Sequence, residues 1–177
     1  TEMDIEMAIS GAEHIQECVP ETLDKKKQMF CLLADLSQSN VVIASSSSFL
    51  FASKFCAEVK NPERCLVIHP GNPPYLLRIA EVIPASFTSA SVVQRALSLM
   101  QNIGIRPVLV RKEIDGFIFN RLQGALLTEA YALIEDGIAS TEEIDAIVRD
   151  GLGFRWSVIG PFETVDLNTR GGIGAHA

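Results

Sequence analysis

The sequence predicts an α/β chain: an open, largely parallel sheet with crossover helices, followed by an all-helical segment. Three observations predict it. Short apolar runs alternate with amphipathic stretches as far as Val110. Polar residues suited to holding a ligand stand where those runs end. Past Asp115 the strand-like runs stop, and only helix signals remain. The domains are placed at residues 1–113 and 114–177.

Residues 4–11 read as a short amphipathic helix stopped by Gly11. HIQECV, residues 14–19, is the first strand. Thr22 caps a helix reaching about Ser37, with Phe30, Leu33 and Leu36 as its apolar stripe and Lys25, Lys26 and Lys27 near its start. VVIA, residues 41–44, is a buried strand; Ser45 to Ser48 form a polar turn, and a short helix covers 51–56. CLVI, residues 65–68, is another buried strand and ends at His69; a further strand over 76–83 contains Glu81. A helix from Ser89 to Asn102 puts Val93, Leu97 and Met100 on one face and stops at Gly104, and residues 107–110 form the last strand. One long helix follows over 118–136, with Gly137 just beyond it. Ser140-Thr-Glu-Glu143 is a capping box, and Gly160-Pro-Phe-Glu163 opens another helix.

Composition bounds the function. Apolar residues make up 47% and charged residues 21%, as in a globular protein rather than a disordered one. A net charge of -7 argues against nucleic-acid or anionic-membrane partners. No apolar run is long enough to span a bilayer. Cys18, Cys31, Cys56 and Cys65 form no CxxC pair and no zinc-ligand spacing, so free thiols and no metal are expected. The acidic start, Thr1-Glu2-Met3-Asp4, has no targeting character. A cytoplasmic protein is expected.

Three polar residues follow three strands: Glu21, Ser48 and His69. Singly, each has a bland reading, since serines cap and turn and a lone histidine is more often structural. Their convergence, with Asn72 and Glu81 close by, points to one shared site at the carboxyl ends of the strands. Adjacent strands can bring His69 and Glu81 together. A carboxylate on one ring nitrogen fixes the tautomer and stabilises the imidazolium, making an effective general base near neutral pH. Oxidation of an alcohol by a nicotinamide needs such a base, because the hydroxyl proton must leave as the hydride leaves. His14 begins a strand with no carboxylate arranged ahead of it, and His176 lies in the tail.

The segment His69-Pro-Gly-Asn-Pro-Pro-Tyr, followed by Glu81-Val82, resembles the HPxNPP and LVE signature of the lambda-crystallin branch of the 3-hydroxyacyl-CoA dehydrogenase family. Gly116-Phe-Ile-Phe-Asn120-Arg121-Leu122 resembles its GFIxNRL helix start, Gln16-Glu-Cys-Val-Pro-Glu21 with Lys26 its ECVPE…K stretch, and Gly160-Pro-Phe-Glu163 its GPxE element. The matches run in order from about residue 4 to residue 168. This resemblance implies a partial Rossmann-type dinucleotide-binding domain and a partial helical C-terminal domain. It implies NAD as cofactor, and a small 3-hydroxy acid as substrate, with L-gulonate going to 3-dehydro-L-gulonate. By the same resemblance His69 is the general base and Glu81 its carboxylate partner. Ser48 stands near both nicotinamide and substrate oxygen, Asn120 hydrogen-bonds the substrate, and Glu21, Lys26 and Asn72 are cofactor-side contacts. Arg121 is expected to brace its helix. A homodimer through the helical domain is also implied. The runner-up substrate is an L-3-hydroxyacyl-CoA; the alternative of another class is a non-catalytic, crystallin-like structural protein or inactive fragment.

The chain departs from the pattern in several respects, and the end of the helical domain is among the parts not found. No GxGxxG follows an N-terminal strand, and the acidic residue that would choose NAD over NADP is not found. Gly172-Ile-Gly174-Ala-His-Ala177 echoes GxGxxA, but the sequence around it gives it no strand before and no helix after. The expectation is therefore a fragment, a truncated isoform or a partial chain.

Overall fold

A computed structural model describes residues 4–172 and Gly174. The chain divides into two compact units, one up to Leu122 and one from Gln123 onward.

In the first unit a five-stranded sheet has the order β1-β2-β3-β4-β5. Its strands are β1 (His14–Glu17), β2 (Val42–Ser45), β3 (Cys65–Pro70), β4 (Ile79–Pro84) and β5 (Arg106–Leu109). Helix α1 (Ile5–Ile9) precedes the sheet, with the Asp4 carboxylate capping it and Gly11 beyond it at φ +75°. Helix α2 (Leu23–Leu36) and helix α3 (Ala90–Asn102) cross over between strands. The pairs β1–β2, β2–β3 and β4–β5 are parallel, whereas β3–β4 is antiparallel. The reason is connector length. A parallel return needs a crossover of a dozen or more residues, and the connector 71–78 is too short for one.

Each face of the sheet carries its own apolar cluster. Phe30, Leu33 and Ala34 of α2 meet Ile43, Val67 and Ile83 on one face. On the other, Val92, Ala96 and Met100 of α3 meet Ala44, Leu66 and Val82. Both helices bury a stripe slightly rotated from the one periodicity suggests. Leu36 is exposed and Lys26 takes a buried place on α2; on α3 the buried set steps by four residues, with Leu97 at its flank. Strand β4 begins later than predicted, because Leu76 and Leu77 both donate to the Pro73 carbonyl in a turn and stay largely in solvent.

Helix α4 (Phe119–Glu135) leads into the second unit. That unit continues with α5 (Thr141–Ala146), a π-helical stretch Ile147–Gly153, α6 (Phe154–Val158) and α7 (Pro161–Asn168). The Ser140–Glu143 capping box forms as read. At α7 the Glu163 carboxylate accepts from the Gly160 N–H at 2.8 Å, and Gly160, lacking a side chain, cannot return the bond. The π stretch was not foreseen. Its glycine is required: a Cβ on Gly153 would lie 2.8 Å from the Val148 carbonyl oxygen. Among the described residues no helix is long and apolar enough to cross a membrane, and no cluster suits a metal ion.

Candidate active site

The antiparallel β3–β4 pair sets His69 directly opposite Glu81. Their side chains meet at 2.8 Å, Nδ1 to Oε2, and both residues are buried. The other carboxylate oxygen accepts the backbone N–H of Ile118 at 2.7 Å and of Phe119 at 3.1 Å. Glu81 thus caps helix α4 from a distant strand, doing the work a local Ser or Asp does elsewhere. The chain reaches that cap through two left-handed residues, Gly116 at φ +75° and Phe117 at φ +51°. Glycine adopts this freely; Phe117 does so at a cost, and its fully buried ring packs 5.5 Å from the imidazole. Burial pushes the Glu81 carboxyl up. The His69 hydrogen bond, the two N–H donors and the His69 charge outweigh that and hold it below the ordinary carboxylate range.

An ionised Glu81 can only accept, so Nδ1 of His69 carries a proton. In the neutral ring Nε2 is then the basic atom. Among the described residues Nε2 has no hydrogen-bond partner. Beside the dyad lies a cavity of about 170 Å³, walled by Gly71, Ile79, Val108, Ile118, Phe119 and Leu122. The walls are almost wholly apolar.

Asn120 comes one residue after the capped N–H pair. Its amide donates to the Ser48 carbonyl at 2.8 Å, which ties the start of α4 to the loop after β2. The same loop is gripped by Glu21, one of whose oxygens accepts from the Ser47 hydroxyl, from the Leu50 N–H at 3.0 Å and from the Phe49 N–H at 3.3 Å. Burial raises the Glu21 carboxyl, but the Ser47 hydroxyl, the Leu50 N–H, the Lys26 charge and the Phe49 N–H together pull it below its ordinary value. Lys26 lies inward rather than at the surface. Its ammonium contacts both oxygens of Glu17 at 3.1 and 3.2 Å and the Ser45 hydroxyl at 3.1 Å, with Glu21 at 3.6 Å.

The structure therefore joins His69 with Glu81, Glu81 with the start of α4, Asn120 with Ser48, and Glu21 with Lys26. Asn72 stands exposed in the connector before β4, and Arg121 is exposed. His14 bonds Gln16 at 3.0 Å. His176 lies outside the described residues, as does most of the glycine-containing tail after Gly172. Sequence reasoning passed over Glu17, Ser47 and Phe117. Glu17 alone left a signal: a carboxylate on the inward step of a period-two strand, with a lysine nine residues later.

Residues 1–114 match the 3-hydroxyacyl-CoA dehydrogenase NAD binding domain, and residues 116–176 match the C-terminal domain of the same enzymes. The chain belongs to the 3-hydroxyacyl-CoA dehydrogenase family. Its α/β segment is the family's Rossmann-type NAD-binding domain. It is 47% identical over 164 residues to the lambda-crystallin of Oryctolagus cuniculus, covering 93% of this chain and 51% of that protein. It is 45% identical over 163 residues to an L-carnitine dehydrogenase of Pseudomonas aeruginosa, covering 92% and 51%. Among solved structures, the NAD+-dependent 5-formyl-3-hydroxy-2-methylpyridine 4-carboxylic acid 5-dehydrogenase matches with a TM-score of 0.90 and 34% identity, over 98% of this chain and 55% of that one. The chain spans about half the length of the curated relatives it matches.

The donor set suits a dinucleotide. Where the strands end, the Ser48 hydroxyl and the Asn72 amide make no hydrogen bond among the described residues. Among the described residues Lys26 alone stands near the second oxygen of Glu21, at 3.6 Å. Exposed acceptors and donors of this kind match ribose hydroxyls and a carboxamide.

Proposed function

We propose that this chain carries the reaction centre of an NAD-dependent dehydrogenase of small 3-hydroxy acids, with L-gulonate oxidised to 3-dehydro-L-gulonate. One observation carries the reading: a buried imidazole is locked on one nitrogen by a carboxylate held ionised, and its other nitrogen has no hydrogen-bond partner among the described residues. When bound, NAD supplies the acceptor for the hydride. His69 Nε2 takes the hydroxyl proton, and Glu81 steadies the imidazolium that results. The second N–H of the Asn120 amide and the Ser48 hydroxyl hold the substrate oxygen where charge develops. Glu21, Ser48 and Asn72 are the cofactor-side contacts. Lys26, buried on Glu17, acts by holding Glu21 in place.

The small-acid reading rests on the HPxNPP segment. Oxidation of L-gulonate, L-carnitine and an L-3-hydroxyacyl-CoA with NAD, followed as NADH absorbance, tests it. Turnover of L-gulonate that His69→Ala abolishes supports the reading. Preference for carnitine or the CoA ester moves the substrate within the same chemistry. No turnover, and no saturable NADH binding by fluorescence, favours the non-catalytic, crystallin-like reading. We infer a cytoplasmic homodimer: the described cysteines are free thiols, and the helical unit exposes Tyr131, Ile138, Ile147, Phe154, Phe162 and Leu167, a surface that suits a second copy.

A further inference from the structure

We infer that Gln16 is a positioning residue that sets the separation between the Ser48 loop and His69; the inference rests on the dehydrogenase reading above. From β1, its amide reaches the residue just past β2 and a residue of β3. Nε2 donates to the Ser46 hydroxyl at 2.8 Å and to the Ile68 carbonyl at 3.2 Å, and Oε1 accepts from His14 Nε2 at 3.0 Å. The Ile68 carbonyl can only accept, which fixes the orientation of the amide.

The position of this bridge gives it meaning. The last paired residues of the parallel ladders are Glu17 with Ser45, and Ser45 with Val67. Beyond them β2 and β3 part company, one toward Ser46 and the loop holding Ser48, the other toward Ile68 and His69. Inside the ladders, backbone bonds already hold the strands, so a side-chain tie there would be redundant. Gln16 instead ties the first residue past the β2–β3 pairing on each side; Ser46 is otherwise bonded back to β1, its N–H donating to the Glu17 carbonyl at 2.8 Å, and Ile68 is paired with Val82 of β4. Ile68 immediately precedes the proposed base, and Ser46 stands two residues before Ser48. Cys18 adds a thiol contact to the same Ser46 hydroxyl at 3.2 Å. A longer route through Asn120, the start of α4 and Glu81 also links the Ser48 loop to β4, which pairs with β3.

The test uses Gln16→Leu, which keeps the bulk and removes the donors, together with Ser46→Ala and the double variant. Two readouts are needed. The first is the 15N spectrum of the histidine rings: Gln16→Leu moves the His69 signals while the protein stays folded. The second is kinetic. A misplacement of about 1 Å costs up to ~10²-fold, so kcat falls roughly tenfold or more while KM for NAD holds. The double variant is then no worse than Gln16→Leu, because both changes cut one tie. Unmoved His69 signals overturn the inference, as does an active enzyme whose kcat stays within about twofold. If the unsubstituted protein oxidises no 3-hydroxy acid, the functional reading fails, and the ring signals alone decide whether Gln16 positions His69.

Discussion

Glu81 performs two tasks with two oxygens, and they can be separated by mutation. Replacement by Ala removes both. Losing an N-cap costs about 1 kcal/mol, and losing a charged hydrogen bond to a buried group costs about 1.5–3 kcal/mol, so roughly 3 kcal/mol of stability should go. Replacement by Gln behaves differently. Its carbonyl can face the Ile118 and Phe119 N–H groups and keep the cap. Its NH₂ then faces His69 Nδ1, which must become an acceptor. The ring proton moves to Nε2, and the base is lost. Glu81→Gln should therefore unfold close to wild type in urea yet lose about 10²–10⁴-fold in turnover, the usual worth of general acid–base assistance. Glu81→Ala should lose both. Turnover near wild type in Glu81→Gln would refute the tautomer argument. A Glu81→Ala protein as stable as Glu81→Gln would refute the tertiary cap.

The same carboxylate gives a pH prediction. Its folded-state pKa lies below the ordinary 4.5, so its contribution is complete above that value and is lost as pH falls through the lower folded one. Urea unfolding of wild type and Glu81→Ala should differ most near neutrality, and the gap should narrow in acid; a gap independent of pH would contradict this. Arg64, 2% exposed, donates to the Ala34 carbonyl at 2.7 Å, to the Ser37 hydroxyl at 3.0 Å and to the Gln38 carbonyl around the end of α2. Arg64→Ala should lower stability by about 3 kcal/mol, since several charge-assisted bonds go at once, with calorimetry as the check. Lys26→Met strands Glu17 in the core and should cost about 3–5 kcal/mol in chemical denaturation, whereas the Lys26→Met, Glu17→Leu pair should regain most of it. Native protein should expose Cys18 and Cys31 to a thiol reagent. Cys56 and Cys65 should react only after unfolding, because the Cys65 contact and burial push the Cys56 thiol up; fast labelling of all four would overturn the packing.

Much was legible before any coordinates. Period-two and period-3.6 patterns located the strands and helices, because burial on a sheet or helix face leaves a local signature. Gly11, Gly104 and Gly137 marked turns that need positive φ, and each adopts it. The capping box at Ser140 needs only four consecutive residues. Strand ends with Glu21, Ser48 and His69 pointed to the side of the sheet on which a site is expected, since parallel strands present their carboxyl ends together. The residue types, and hence the chemistry, were local information as well.

Exact register was not, and beyond the expected His69–Glu81 pair neither were most partners. Whether His69 faces Glu81 depends on the sense of β4, which a short connector forces to run back; one residue of slip would send the carboxylate to the other face. Nothing near Ile118 in the chain announces that its helix is capped by a residue from β4. Lys26 reads as one of three lysines near a helix start and, by resemblance, as a cofactor-side contact, yet its place on the inner face of α2, above Glu17 and Ser45, makes it a buried cation. Gln16 reads as the polar step of an alternating strand, and its partners come from its own strand, from the residue just past β2 and from β3. The sequence alone determined which groups are present and which elements carry them, because propensity and periodicity act over a few residues. The tertiary structure alone decided which groups touch, because those contacts join residues far apart in the chain, and only packing of the whole sheet sets their distances.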